Sequence, residues 1–151
     1  MVTVNGQAVA DVRPGSYLTV SRTWKEGDKI ALNFDMRGRL TELNGYQAIE
    51  RGPVVLARDT RLGEGFVDET CVVQTSGGYV ELMPVTDKPA GVWMAFSAPM
   101  KLGTDTEGRA AGIVQVPLCD FASAGNTWHP AVRYRVWLRR TFDPISDPWV
   151  E

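Results

Sequence analysis

The sequence is short of the residue types that most catalytic chemistry uses. It has one histidine, His129, and two cysteines, Cys71 and Cys119, in 151 residues. Two cysteines are too few for a disulfide-rich scaffold, and their separation fits no metal-ligand spacing. Both stand beside apolar residues, in TCVV and PLCDF. Two buried free thiols are therefore expected, with a disulfide or a reactive thiol as the alternatives. His129 precedes a proline in NTWHP, which places it in a loop rather than at a catalytic or metal centre.

Other absences are equally informative. No apolar run approaches the ~20 residues that cross a bilayer as a helix, so no membrane partner is expected. The opening MVTVNGQ lacks a basic stretch followed by an apolar core, so no signal peptide is expected. Localisation stays open, a periplasmic or secreted parent protein being one expectation. The 16 basic and 18 acidic residues leave a net charge of -2, whereas a nucleic-acid footprint needs a strongly basic face. There is no glycine-rich phosphate loop, no G-x-S-x-G elbow and no Cys/His/Asp cluster with metal spacing. Catalytic, cofactor-binding and metal residues are all expected to be absent.

What is present is a period of two. Asn5-Gly6 between β-prone runs predicts a two-residue hairpin turn, because both central positions favour φ > 0. From Tyr17 to Trp24, Leu18, Val20, Arg22 and Trp24 alternate with Tyr17, Thr19, Ser21 and Thr23. That assigns Leu18, Val20 and Trp24 to a core face. Ile30, Leu32 and Phe34 continue the pattern after the KEGDK turn around Gly27. Residues 37–43 carry no clear pattern. Further strand candidates are 51–58, 71–74, 79–85, 92–98, 111–118 and 134–140, separated by turn signals at Gly77-Gly78 and Lys88-Pro89-Ala90-Gly91. Pro53 lacks an N–H and marks a strand start or an edge. No window of about 11 residues keeps a helical apolar stripe without glycine or proline. The expectation is one all-β domain over residues 1–151, an antiparallel, jelly-roll-like β-sandwich of about nine or ten short strands, with 141–151 as a tail. Barrel closure is the alternative to the sandwich. A chain of this length buries roughly two-thirds of its unfolded surface.

Paired carboxylates across a cleft, roughly 5 to 9 Å apart, would suit glycoside hydrolysis. The candidates are Glu26, Asp28, Glu50, Asp68, Glu69 and Glu81. Glu26 and Asp28 flank Gly27 in a turn, where water solvates them, and Asp68-Glu69 reads the same way. Glu50 is read as an ion-pair partner of Arg51, and Glu81 as a solvent-facing strand residue. None has a site-like setting. The SAGNT loop at 123–127 could take a ligand through its backbone amides and Asn126, or serve only as a crossing loop.

The aromatics offer a second route to function. Five tryptophans are many for this length: Trp24, Trp93, Trp128, Trp137 and Trp149. Trp93 suits an edge or interface. Trp137 shares parity with Arg133, Arg135 and Arg139, an aromatic set among arginines that fits a stacked ladder or a docking surface. Trp128 is the best anchor for a ligand or partner. Arg22 stands where an apolar side chain is expected. If buried it needs a partner, and Asp28 or Glu50 is the expected one. Arg22, Arg51, Trp128, Arg135 and Trp137 are thus the candidates for domain docking or ligand contact.

Four segments carry a resemblance: VNGQAV (4–9), GSYLTVSRTWKEGDKIALNF (15–34), AIERGPVVLARD (48–59) and DFASAGNTW with YRVWL (120–138). Together they resemble the region downstream of the catalytic barrel in the glycoside hydrolase 127 family, the β-L-arabinofuranosidase-like proteins. The resemblance implies a non-catalytic β-sandwich that packs against an α/α-toroid. In the family the nucleophilic cysteine, the acidic residue and the zinc ligands lie in that toroid. Neither Cys71 nor Cys119 sits in a segment that matches the thiol site, so no catalytic or metal residue is carried over. The implied partner is an upstream catalytic domain of the same polypeptide, and an apolar face bared by its absence could support a homodimer. The competing expectations are an autonomous carbohydrate-binding module and an enzyme complete in itself.

Overall fold

The computed structural model describes residues 1–63, 67–103 and 112–140. The tail at 141–151, with Trp149, lies outside them. The described chain is all-β and antiparallel apart from one 3-10 turn at Thr60–Leu62. It divides into two compact units, Met1–Asp35 and Met36–Glu151.

The first unit is a three-stranded sheet. Strands β1 (Val2–Val4) and β2 (Gln7–Ala8) form the expected hairpin, with Asn5 at φ 50° and Gly6 at φ 81°. Strand β3 (Ile30–Leu32) pairs with the other edge of β1, Val2 opposite Leu32 and Val4 opposite Ile30. The KEGDK turn is clasped to the hairpin. Asn5 donates to Asp28 at 2.7 Å and accepts from the Lys29 N–H at 2.8 Å. Asp28 also accepts from the Lys25 N–H at 2.9 Å, so its carboxylate is a structural tie rather than a merely solvated charge.

The expected strand over 17–24 does not form. Alternation says which residues would share a face, but a ladder partner must lie beside them, and the described strands of this unit give them none. Leu18 and Trp24 are exposed rather than buried in a core, and Ile30, Leu32 and Phe34 are more than half exposed. About 35 residues enclose too little volume to bury an apolar face of their own.

The second unit carries the core. Its strands are β4 (Gly38–Leu43), β5 (Tyr46–Arg51), β6 (Val54–Asp59), β7 (Cys71–Val73), β8 (Met83–Pro84), β9 (Ala95–Leu102), β10 (Ile113–Asp120), β11 (Tyr134–Arg135) and β12 (Leu138–Arg139). They form a nine-stranded, sandwich-like sheet with the path β12-β5-β6-β10-β9-β7, to which β4, β8 and β11 add at β5, β9 and β6. Twelve described strands in the chain exceed the nine or ten expected. The difference comes from very short strands and from β4, which begins in the region that read as patternless. An Asn44-Gly45 turn, at φ 49° and 81°, joins β4 to β5 as a second two-residue hairpin. Gly52-Pro53 turns β5 into β6, which puts Pro53 just before a strand as expected.

Alternation divides the sheet's two faces. Leu56, Phe96, Ala98, Met100, Val116 and Leu118 point to the larger core cluster, which also takes Ile49, Cys71, Val73, Val80 and Leu138. Ala95 and Cys119 point the other way and pack with Val92, Leu62, Val85 and Ala124. Strands β7 and β12, at opposite ends of the sheet path, touch, so the sheet curls round the larger cluster. Gln47, fully buried in β5, helps hold that seam. Its side-chain amide donates to the Cys71 carbonyl and accepts from the Val73 N–H at 3.3 Å. It thus serves the β7 edge as a backbone peptide would. Gly38 allows the closest approach on this side, since a Cβ there would lie 2.4 Å from the Val80 carbonyl oxygen.

Candidate functional site

The second face of the sheet carries a network of buried polar groups. Asp59 ends β6 and is fully buried. Its Oδ1 accepts from the Arg61 N–H at 2.9 Å and from Arg61 Nε at 3.0 Å, and its Oδ2 from Arg61 Nη2 at 2.7 Å and the Gly125 N–H at 2.9 Å. Arg61 spends its remaining donors on the loop, Nη2 on the Ser123 carbonyl at 2.6 Å and Nη1 on Asn126 Oδ1 at 2.7 Å. Asn126 in turn donates to the Gly91 carbonyl at 2.9 Å. Asp120, at the end of β10, accepts from the Ser123 N–H at 3.0 Å, the Ser123 hydroxyl at 2.8 Å and the Met94 N–H at 3.1 Å. Ser123 Oγ accepts from the Trp93 N–H at 3.0 Å.

The electrostatics follow from this wiring. Burial pushes the Asp59 carboxyl up, but the Arg61 side chain, the Gly125 and Arg61 N–H groups and the Arg61 charge outweigh it and hold the group below its ordinary value. The same Asp59 hydrogen bond holds Arg61 above its own. Burial, with the negative charges of Asp59 and Asp120, pushes the Cys119 thiol up to about 12. A thiol so placed stays protonated and is a poor nucleophile. Cys71 is also a buried free thiol, as expected for both cysteines.

The network fixes a loop whose aromatic side chains face outward. Trp93 is 81% exposed and Trp128 is 91% exposed. Phe121 and Tyr134 are about half exposed and meet at 6.1 Å between ring centroids. Tyr134 lies over Gly125, whose φ of 65° and absent Cβ both fit the approach. SAGNT is therefore a crossing loop whose Ser123 and Gly125 N–H groups and Asn126 side chain are spent on the protein itself.

The sequence-predicted residues are dispersed. Arg22 pairs with Asp28 at 3.4 Å, one of its two expected partners, and its guanidinium lies 5.2 Å from the Trp24 ring centre. It is partly exposed, so no buried charge needs neutralising. Asp28 is held below the ordinary carboxylate range by the Asn5 side chain first, then by the Lys25 N–H and Arg22. Arg51 stacks on Phe96 at 4.8 Å, while Glu50 accepts from the Thr41 hydroxyl at 3.1 Å. The expected Glu50–Arg51 pair is corrected, since neighbours on a strand point to opposite faces. Arg135 pairs with Asp68 on the surface, so Asp68 too has a partner beyond water. The expected strand over 134–140 is broken at Val136-Trp137 into β11 and β12, which removes the arginine ladder. Trp137 instead lines a shallow, mainly apolar groove with Leu43, Asn44 and Tyr46. His129 is an exposed loop residue, as expected, and its Nδ1 accepts from the Ala131 N–H at 3.1 Å. Among the described residues no group of three or more His, Cys, Asp or Glu could hold a metal.

Fold and site define an all-β, sandwich-like protein in which the buried ionisable groups of the network serve the architecture. Residues 1–36 match the family model for the beta-L-arabinofuranosidase GH127 middle domain, which links the chain to the GH127 family in general. That stretch contains the first two of the four resembling segments. The segments at 48–59 and 120–138 lie beyond it. No curated protein matches the chain.

Proposed function

We propose that this chain is a non-catalytic accessory part of a β-L-arabinofuranosidase-like glycoside hydrolase, and that it stabilises or docks onto a separate α/α-toroid catalytic domain. The observation that carries the reading is a coincidence of boundaries. The family match ends at residue 36 and the first compact unit ends at Asp35. That unit holds a middle-domain sequence, yet Ile30 and Leu32 of its edge strand β3, and Phe34 just beyond it, are solvent-exposed. An apolar strand face of this kind fits burial against further residues of the parent protein. The polar network of the second unit supports the same reading, because Asp59, Asp120 and Arg61 are satisfied within the fold. Docking then falls to the exposed apolar residues of the first unit and to Arg22, which belongs to the same unit.

The experiment is complementation. The chain alone should not hydrolyse an aryl β-L-arabinofuranoside. Mixed with the separately produced upstream part of its parent, it should bind and raise that part's thermal midpoint. Leu32→Asp with Phe34→Asp should abolish binding. Hydrolysis by the chain alone, or association indifferent to the double substitution, would refute the reading.

A further inference from the structure

We infer that Trp93 and Trp128 form a stacking site for a neutral carbohydrate chain, on a part of the second unit that the docking role does not use. Both tryptophans hang from the run Ser123 to Asn126. Ser123 Oγ holds the Trp93 N–H at 3.0 Å, Asn126 Nδ2 holds the Gly91 carbonyl two residues earlier at 2.9 Å, and the Gly125 carbonyl holds the Trp128 N–H at 3.1 Å. The network on Asp59, Arg61 and Asp120 braces that run from beneath. Two largely exposed indoles are thus presented on a stiff base, which lowers the ordering cost of binding.

A second, independent feature lies in the backbone. Trp128 has φ 55°. Among the described residues, the other non-glycine positions at positive φ are Asn5, Asp11 and Asn44, types that tolerate this region. A tryptophan there is strained, and its ring gains no burial in return. Strain of this kind concentrates at ligand clamps. The adjacent imidazole, also exposed, adds a donor. Because His129 Nδ1 accepts from the Ala131 N–H, the neutral ring carries its proton on Nε2. Exposed indole faces, with the exposed Thr127 hydroxyl and His129 imidazole flanking Trp128 in sequence, match a sugar, which offers C–H faces and hydroxyls together. A protein partner would call for a wider contiguous apolar surface.

The test is a fluorescence and calorimetric titration of the full chain with arabinan, arabinogalactan, xylan and glucan oligosaccharides. Saturable binding to at least one, weakened about tenfold or more by Trp128→Ala and by Trp93→Ala, is expected. Trp24→Ala should leave binding unchanged. Trp128→Gly separates binding from folding, because glycine relieves the strained φ. It should lose the sugar while matching or exceeding the parent chain in thermal midpoint. Flat titrations with every oligosaccharide, or binding indifferent to both alanine variants, would overturn the inference. So would loss of protein association rather than sugar binding in those variants. The accessory reading rests on the first unit and fails or stands separately, through the complementation assay.

Discussion

Replacing Gly125 by alanine should destabilise the second unit by about 2–5 kcal/mol, through two separable effects. The first is conformational. Gly125 sits at φ 65°, where an L-residue costs roughly 1–2 kcal/mol. The second is steric. A Cβ would lie 2.7 Å from both Cδ1 and Cε1 of Tyr134. The ring is held on one side by Phe121 at 6.1 Å and its strand pairs with Asp59 and Arg58. Displacing it would disturb the Phe121 contact, and overpacking of this kind costs about 1–3 kcal/mol. Gly63 supplies the control. It has φ 84° and nothing within 4 Å of a built Cβ, so Gly63→Ala should show the conformational cost alone. Urea denaturation of both variants at pH 7, compared at constant slope, measures the difference. Adding Tyr134→Ala to Gly125→Ala should recover part of the loss. If Gly125→Ala and Gly63→Ala agree within about 0.5 kcal/mol, the ring does not restrain the loop and the account of the site is wrong.

The buried network and the seam give further expectations. Asp59→Asn should cost about 3–5 kcal/mol in the same assay, because it leaves Arg61 without its counter-charge at a mostly buried position. A loss below about 1 kcal/mol would refute the pairing. The folded pKa of Asp59 is depressed, so its contribution is fully present above the ordinary carboxylate value of 3.8 and fades as pH falls through the lower folded value. A urea series from pH 7 downward should show that acid-side loss in the parent chain and a smaller one in Asp59→Asn. Gln47→Leu should cost about 2–3 kcal/mol, since it removes both bonds from the buried amide to β7. Faster amide exchange at Val73 should accompany it, and unchanged exchange there would contradict the seam.

Much of the fold class was legible because its signals are local. Asn5-Gly6 predicts a turn by the φ each residue tolerates, and the chain turns there. Gly77-Gly78 and Pro89 to Gly91 behave the same way, with the Tyr79 N–H returning to Ser76 and the Val92 N–H to Pro89. The same dipeptide at Asn44-Gly45 would have revealed β4 and β5 as a hairpin, but the weak alternation of 37–43 concealed it. Trp24 was misplaced for a different reason. Parity assigns a side chain to a face but does not say whether anything covers that face. Arg51 and Glu50, next to each other in sequence, could be read as a pair only while the strand through them was unassigned.

The candidate site was less legible than the fold. DFASAGNTW is recognisable as a motif, yet the reason for each residue lies elsewhere in the chain. Gly125 is a glycine because Tyr134 occupies its Cβ position, and Ser123 is a serine because Asp120 and the Trp93 N–H meet at its hydroxyl. Asp59 read as the last residue of a resembling segment and gave no sign that its partners would be Arg61 and a loop more than sixty residues on. Local chemistry in the sequence determined the all-β class, the hairpin turns and the buried thiols, because backbone sterics and alternation act over a few residues. Only the tertiary structure decided which apolar faces are covered, how the sheet curls onto Gln47, and where the buried charges are neutralised. Those depend on contacts between residues far apart in sequence, whose cost or gain exists only once the strands are assembled.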